Sequence, residues 1–146
     1  MFKHILLACD GTEASRHAAV LAADLAREHG ARLTALFVVD PYPFIGLAQT
    51  NPLGFQAYLQ AAHAQAARAH TEVEVLCSQG SHPVPLQLRL IEDARPADAI
   101  AQTARSEGAD LIVMGSHGRR AVARLVVGSV TAEVLALTHV PVLVTR

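Results

Sequence analysis

The sequence predicts a doubly wound α/β domain, a five-stranded parallel sheet with helices on both faces. Short runs rich in Val, Leu and Ile alternate with longer segments whose apolar residues recur at helical spacing. Of the 146 residues, 51% are hydrophobic, enough to cover a sheet on both sides. Aromatic residues make up only 4% and Trp is absent, so the core must be aliphatic, as suits buried parallel strands. The length fits a single domain spanning residues 1–146.

Each element has its own signal. Ile5 to Cys9 is a short apolar run stopped by Asp10-Gly11, the pattern of a buried strand. Thr12 to Glu28 places Ala14, Ala18, Leu21, Ala22 and Leu25 on one helical face, with Thr12 or Ser15 as cap and Gly30 just past the end. Arg32 to Val39 is the second strand, closed by Asp40-Pro41. Pro41 to Gly54 holds three prolines and two glycines and predicts a loop, a candidate lid or partner surface. Phe55 to Arg68 is Ala-rich and helical, with a possible continuation toward Cys77 that Val73 and Val75 disfavour. Val84 to Ile91 alternates apolar with polar residues, as an edge strand does. Asp98 to Glu107 is a helix ended by Gly108, Asp110 to Met114 a strand broken by Gly115, Ser129 to Thr138 a helix, and Val140 to Thr145 the last strand. Such an order requires right-handed crossovers and places a ligand beyond the C-terminal ends of the strands, where strand order reverses. The ends of strand 1, at Asp10, and strand 4, at Gly115, are the first places to look.

Composition removes several functions. The net charge is −1, and Arg119, Arg120 and Arg124 form the one local basic cluster, too little for a nucleic-acid surface. Two cysteines, Cys9 and Cys77, make no disulfide framework and fit a reducing compartment. The N-terminus runs directly into a strand, and no apolar run approaches the roughly 20 residues that span a bilayer. The expectation is a cytoplasmic protein without a signal peptide, bound to neither nucleic acid nor membrane.

The stretch that carries chemistry is Met114-Gly115-Ser116-His117-Gly118, followed after nine residues by Gly128-Ser129. Taken singly these are turn glycines. Together, on a strand–loop–helix, they read as two sides of one anion cradle. Glycine lets the backbone approach a ligand, and a helix N-terminus offers free N–H groups and a partial positive charge. Ser129 can cap that helix or bond a phosphate oxygen. Asp10 has two readings, a ligand to an exocyclic amine or ribose hydroxyl, or a turn residue bonding its own backbone. His117 is either a phosphate contact or an exposed loop histidine, and the arginine cluster either screens phosphate or is a solvated face. Cys9 reads as a packed small hydrophobe.

These segments resemble the universal stress protein family over nearly the whole length. The ATP-binding branch of that family carries G-x2-G-x9-G-[ST], complete here as Gly115, Gly118, Gly128 and Ser129. The flanks Ile5-Leu6-Leu7, Asp10-Gly11-Thr12, Phe37-Val38-Val39-Asp40, Ala109 to Gly115 and Val140-Pro141-Val142-Leu143-Val144 are similar to it too. Ala8 stands where many members have proline, Ala94-Arg95-Pro96 replaces a glycine-x-proline, and Pro41–Gly54 is distinctive. The resemblance implies a Rossmann-like fold of the adenine nucleotide alpha hydrolase type. It implies that Asp10 and the backbone of Val38 hold adenine and that Met114 and Gly115 line base and ribose. Gly118, Gly128, Ser129 and the backbone of Val130 and Thr131 would hold phosphates, and the cofactor would be ATP with Mg²⁺ carried by its phosphates.

Three functions of different kinds compete: a nucleotide-binding regulatory module, an enzyme on a related fold, and a stress-protein fold acting only through protein contacts. The enzyme reading lacks support. The only lysine is Lys3, ahead of strand 1, so no Walker lysine exists, and no nucleophile–base pair is legible. Turnover of ATP is expected to be slow or negligible, and no catalytic residue is assigned. Strands 3 and 5 should lie at the sheet edges. The nearly all-apolar strand 5 invites a copy of itself across a two-fold axis, which predicts a homodimer.

Overall fold

The computed structural model describes residues 1–43, 52–116 and 127–146. The chain runs β1 (His4–Cys9), α1 (Glu13–His29), β2 (Arg32–Val38), α2 (Pro52–Ser78), β3 (Leu86–Ile91), α3 (Pro96–Glu107), β4 (Leu111–Gly115), α4 (Ser129–Leu137) and β5 (Val142–Thr145). The five strands pair in parallel in the order β3-β2-β1-β4-β5, so β3 and β5 are the edges as expected.

Residue alternation along the central strands builds two cores. Ile5, Leu7, Ala35, Phe37, Leu111 and Val113 face α1 and α2, whereas Leu6, Leu36, Val38, Ile112 and Met114 face α3 and α4. Both faces of β1, β2 and β4 are therefore dry, which is why these strands read as continuous apolar runs. The helix α1 buries Ala18, Ala19, Ala22, Ala23 and Ala26, small residues that bring its axis close to the sheet. Thr12 caps it by accepting the Ser15 N–H, and Gly30 closes it with left-handed φ 64.

The boundaries that moved have local causes. The start of α2 at Pro52 corrects the loop predicted to reach Gly54. Proline is disfavoured inside a helix but well placed in its first turn, where its missing N–H has no helical partner to lose. The helix also runs through Val73 to Ser78, because Val73 is fully buried against the sheet and tertiary packing outweighs a weak β-branched penalty. The strand β3 begins at Leu86 instead of Val84, since Pro83 and Pro85 cannot donate to a ladder. The strand β5 begins at Val142, after Pro141, and the Val140 N–H turns to the Thr138 hydroxyl at 3.0 Å.

At the N-terminal edge of the sheet lies a buried polar network. The His4 ring contacts the Glu107 carbonyl through Nδ1 (3.1 Å) and the Thr34 hydroxyl through Nε2 (2.8 Å). The Glu107 carboxylate receives the Thr34 hydroxyl at 3.2 Å and pairs with Arg89. Asp110 accepts from the backbone N–H groups of Lys3 (2.8 Å) and His4 (3.1 Å). This end of the sheet is thus tied by side chains from β1, β2, β3 and α3.

Candidate functional site

The chain crosses from β3 at one edge to β4 on the far side of β1, so strand order reverses between β1 and β4. The C-terminal ends of these two strands flank a crevice of the kind in which open α/β sheets bind ligands.

Asp10 follows β1 directly. Its Oδ1 accepts from the Thr12 N–H at 2.9 Å and the Thr12 hydroxyl at 2.6 Å, and its own N–H donates to Ser15 Oγ at 3.0 Å. The turn reading thus describes one carboxylate oxygen. Oδ2 receives no hydrogen bond among the described residues and keeps its acceptor capacity. Gly11 has φ 82, a conformation that side chains rarely adopt. The amide of Gln65 on α2 lies against it and donates from Nε2 to the Asp10 carbonyl at 2.8 Å. Sequence reasoning missed Gln65, because nothing distinguishes it from its polar neighbours on an Ala-rich helix.

The end of β2 brings Val38 beside this turn. Its side chain is buried in the α3/α4 core, which leaves only its main chain for any ligand. Just beyond, the Tyr58 hydroxyl donates to the Asp40 carbonyl at 2.8 Å, and Tyr42 stands edge-on to Phe55 with ring centroids 5.4 Å apart. Half-buried aromatics from α2 therefore pin the chain leaving β2.

The end of β4 is where the glycine motif closes. Met114 is buried against Leu6 and Ile112, so it contributes its backbone to the crevice and its side chain to the core. The Gly115 carbonyl accepts the Thr131 hydroxyl at 2.9 Å, the Ser116 carbonyl accepts the Gly128 N–H at 2.6 Å, and the Ser116 N–H reaches the Thr145 carbonyl at 2.6 Å. Two motif positions thirteen apart in sequence, Gly115 and Gly128, are thereby joined at one point. The Ser116 hydroxyl is buried there without a hydrogen-bond partner among the described residues. Gly128 is the N-cap of α4 and no side chain caps the helix, so of the two readings given for Ser129 the capping one is corrected. An uncapped first turn leaves the N–H groups of Ser129, Val130 and Thr131 without helical acceptors, beside the β4 end. Gly118, His117, Arg119, Arg120 and Arg124 lie outside the described residues.

Gly115 has a reason for being glycine that the motif does not reveal. A Cβ there would stand 2.8 Å from Ala14 Cβ and 3.0 Å from the Ala14 carbonyl carbon, so the first turn of α1 presses on it. Cys9, by contrast, fits its expected role. Burial, and then the neighbouring charge of Asp10, push its thiol up to about 12, and it stays a protonated donor to the Leu36 carbonyl at 3.4 Å.

These features define a doubly wound α/β protein in which one helix N-terminus meets the end of β4, beside the point where strand order reverses. The match to the model of the universal stress protein family extends over residues 1–146, and the chain belongs to that family. It is 39% identical over 147 residues to a Thermus aquaticus relative, the universal stress protein in QAH/OAS sulfhydrylase 3'region, covering 100% of both chains. Universal stress protein UspA from Lactobacillus plantarum superposes with TM-score 0.79 at 29% identity, covering 99% of this chain and 98% of that one. A universal stress protein crystallised in complex with cAMP shares the fold, with TM-score 0.68 at 22% identity and coverage of 99% and 97%.

Proposed function

We propose that this chain is a cytoplasmic, ATP-binding universal stress protein that acts as a regulatory module. The observation that carries this is the closure of the glycine motif. The Gly115–Thr131 and Ser116–Gly128 bonds hold the uncapped N-terminus of α4 against the end of β4. A helix N-terminus placed so favours a phosphate group. In this reading Gly118, Gly128, Ser129, Val130 and Thr131 surround the phosphates. The second carboxylate oxygen of Asp10 accepts from the adenine amine or a ribose hydroxyl, and the backbones of Val38, Met114 and Gly115 line base and sugar. No cluster of three or more metal-binding side chains occurs among the described residues, so Mg²⁺ would enter on the phosphates. The crystallised family member with cAMP shows that this fold accepts an adenine nucleotide in at least one relative.

Titration calorimetry with ATP and Mg²⁺ on nucleotide-free protein tests the proposal. Binding is expected in the wild type, with weakening of about tenfold in Asp10→Ala, the loss of one hydrogen bond to a charged group. No heat at millimolar ATP would leave the family's protein-contact role as the better reading.

The same reading includes a homodimer through β5. Its other side meets no strand among the described residues, all four of its residues are half-buried, and Leu135 and Leu137 on α4 are exposed. Pairing with a copy would satisfy the open backbone groups. Sedimentation should show a dimer at tens of micromolar for the wild type and a folded monomer for Leu143→Pro. A monomeric wild type, or an unchanged dimer in the proline variant, would remove the idea.

A further inference from the structure

The long helix α2 covers the β2–β3 side of the sheet, and it holds the mouth of the site by two contacts, Gln65 to the Asp10 carbonyl and Tyr58 to the Asp40 carbonyl. Five residues beyond Gln65 on the same helix is His70. Its ring lies edge-on to Phe37 of β2, with centroids 6.4 Å apart and planes at 83°. Its Nε2 is buried and has no hydrogen-bond partner among the described residues. A buried nitrogen without a partner is costly even when neutral and far costlier when it carries a charge.

We propose that α2 is a pH-sensitive clamp on the Asp10 side of the crevice, with His70 as its sensor. Acid charges the ring, loosens α2 from β2 and β3, and withdraws Gln65 from Asp10.

The groups around His70 support this. Desolvation dominates and lowers its pKa below the ordinary 6.5. Three weaker influences oppose it, the backbone at Ala35 on β2, the carboxylate of Glu74 one turn along α2, and the backbone at Arg89 on β3. The backbone groups at Ala35 and Arg89 stand close enough to favour the charged ring, but neither makes a hydrogen bond to Nε2 among the described residues, and burial outweighs them. The Arg89 guanidinium is engaged by Glu107. His63, on the same helix, meets Glu92 at 2.7 Å, and a charge on it would hold α2 down instead of releasing it.

The undocked ring takes a proton near 6.5, whereas the docked ring resists it. Docking is therefore at full strength above 6.5. It weakens as the pH falls below that value and levels off once the docked ring is itself protonated. Because Gln65 sits on the same rigid helix, loosening at His70 removes the amide that packs on Gly11. The consequence for a ligand rests on the proposed nucleotide site; the clamp itself does not.

Amide hydrogen exchange of the nucleotide-free protein at about pH 7.5 and about pH 5.5, with α1 as internal reference for intrinsic rates, tests the clamp. In the wild type α2 should lose protection relative to α1 at the lower pH, and in His70→Leu it should not. His70→Asn, polar but not titratable in this range, serves if the leucine variant does not fold. An equal loss in wild type and variant, or none in the wild type, overturns the proposal. Calorimetry with ATP at the same two pH values reads the coupling. Affinity should fall on acidification in the wild type and fall less in the variant. ATP that fails to bind at either pH would count against the nucleotide site alone, since the exchange result stands without it.

Discussion

Gly115→Val should lose a large part of the protein's stability, and Gly115→Ala a smaller but clear part of it. The Cβ that alanine adds would already lie 2.8 Å from Ala14 Cβ and 3.2 Å from the Ala14 carbonyl oxygen. Those atoms belong to the first turn of α1 and cannot step aside cheaply, because Thr12 caps the helix and the Thr145 hydroxyl holds the Ala14 carbonyl at 3.2 Å. Overpacking against fixed neighbours costs about 1–3 kcal/mol, and the valine methyls should raise it toward the upper end or beyond. Urea denaturation gives the loss as a lowered midpoint at unchanged slope. The competing explanation, that this glycine exists to let a ligand approach, predicts an alanine variant as stable as the wild type that has lost only nucleotide affinity. That pattern would overturn the packing argument.

Glu107→Ala should be nearly as damaging, at about 3 kcal/mol, the usual scale for removing one partner of a buried charged network. The loss comes from what is left behind. Thr34 is almost fully buried and loses the carboxylate that accepts its hydroxyl, and the buried His4 loses a carboxylate oxygen 3.9 Å from its Nε2. Arg89 suffers less, since its side chain is 40% exposed and can turn to water. Glu107→Gln keeps the shape and an acceptor oxygen, so it should cost clearly less. A loss under about 1 kcal/mol for the alanine variant, the worth of a surface pair, would refute the network's role.

The sequence was most informative where one local signal had no rival. Gly30 ends α1 because a left-handed glycine has few other uses there, whereas Thr12 and Ser15 competed as caps and Thr12 takes the role by accepting the Ser15 N–H. The aliphatic runs of β1, β2 and β4 announced a sheet buried on both faces. Legibility failed where distant contacts decide. Pro52 reads equally as loop or first helical turn, and only the packing of Phe55 and Tyr58 shows which. Gly115 carries a motif signal that conceals its contact with α1, a hundred residues away in sequence. Gln65 and His70 look like ordinary surface residues of an Ala-rich helix until α2 is seated on the sheet. For Asp10 both readings survive, because a carboxylate has two oxygens and the turn uses one.

The place of β1 at the centre of the sheet has a consequence for synthesis. It is synthesised ahead of the other four strands, yet Ile5 aligns with Leu111 of β4, 106 positions later. At about 5–20 residues per second, one flank of β1 waits roughly 5–20 s for its partner. During that interval a fully apolar strand, Ile5-Leu6-Leu7, has β2 on one side and an unsatisfied edge on the other. Such an edge is a template for pairing between nascent chains. Production of this protein should therefore be limited less by the stability of its finished fold than by how well the cell shields that strand until β4 arrives.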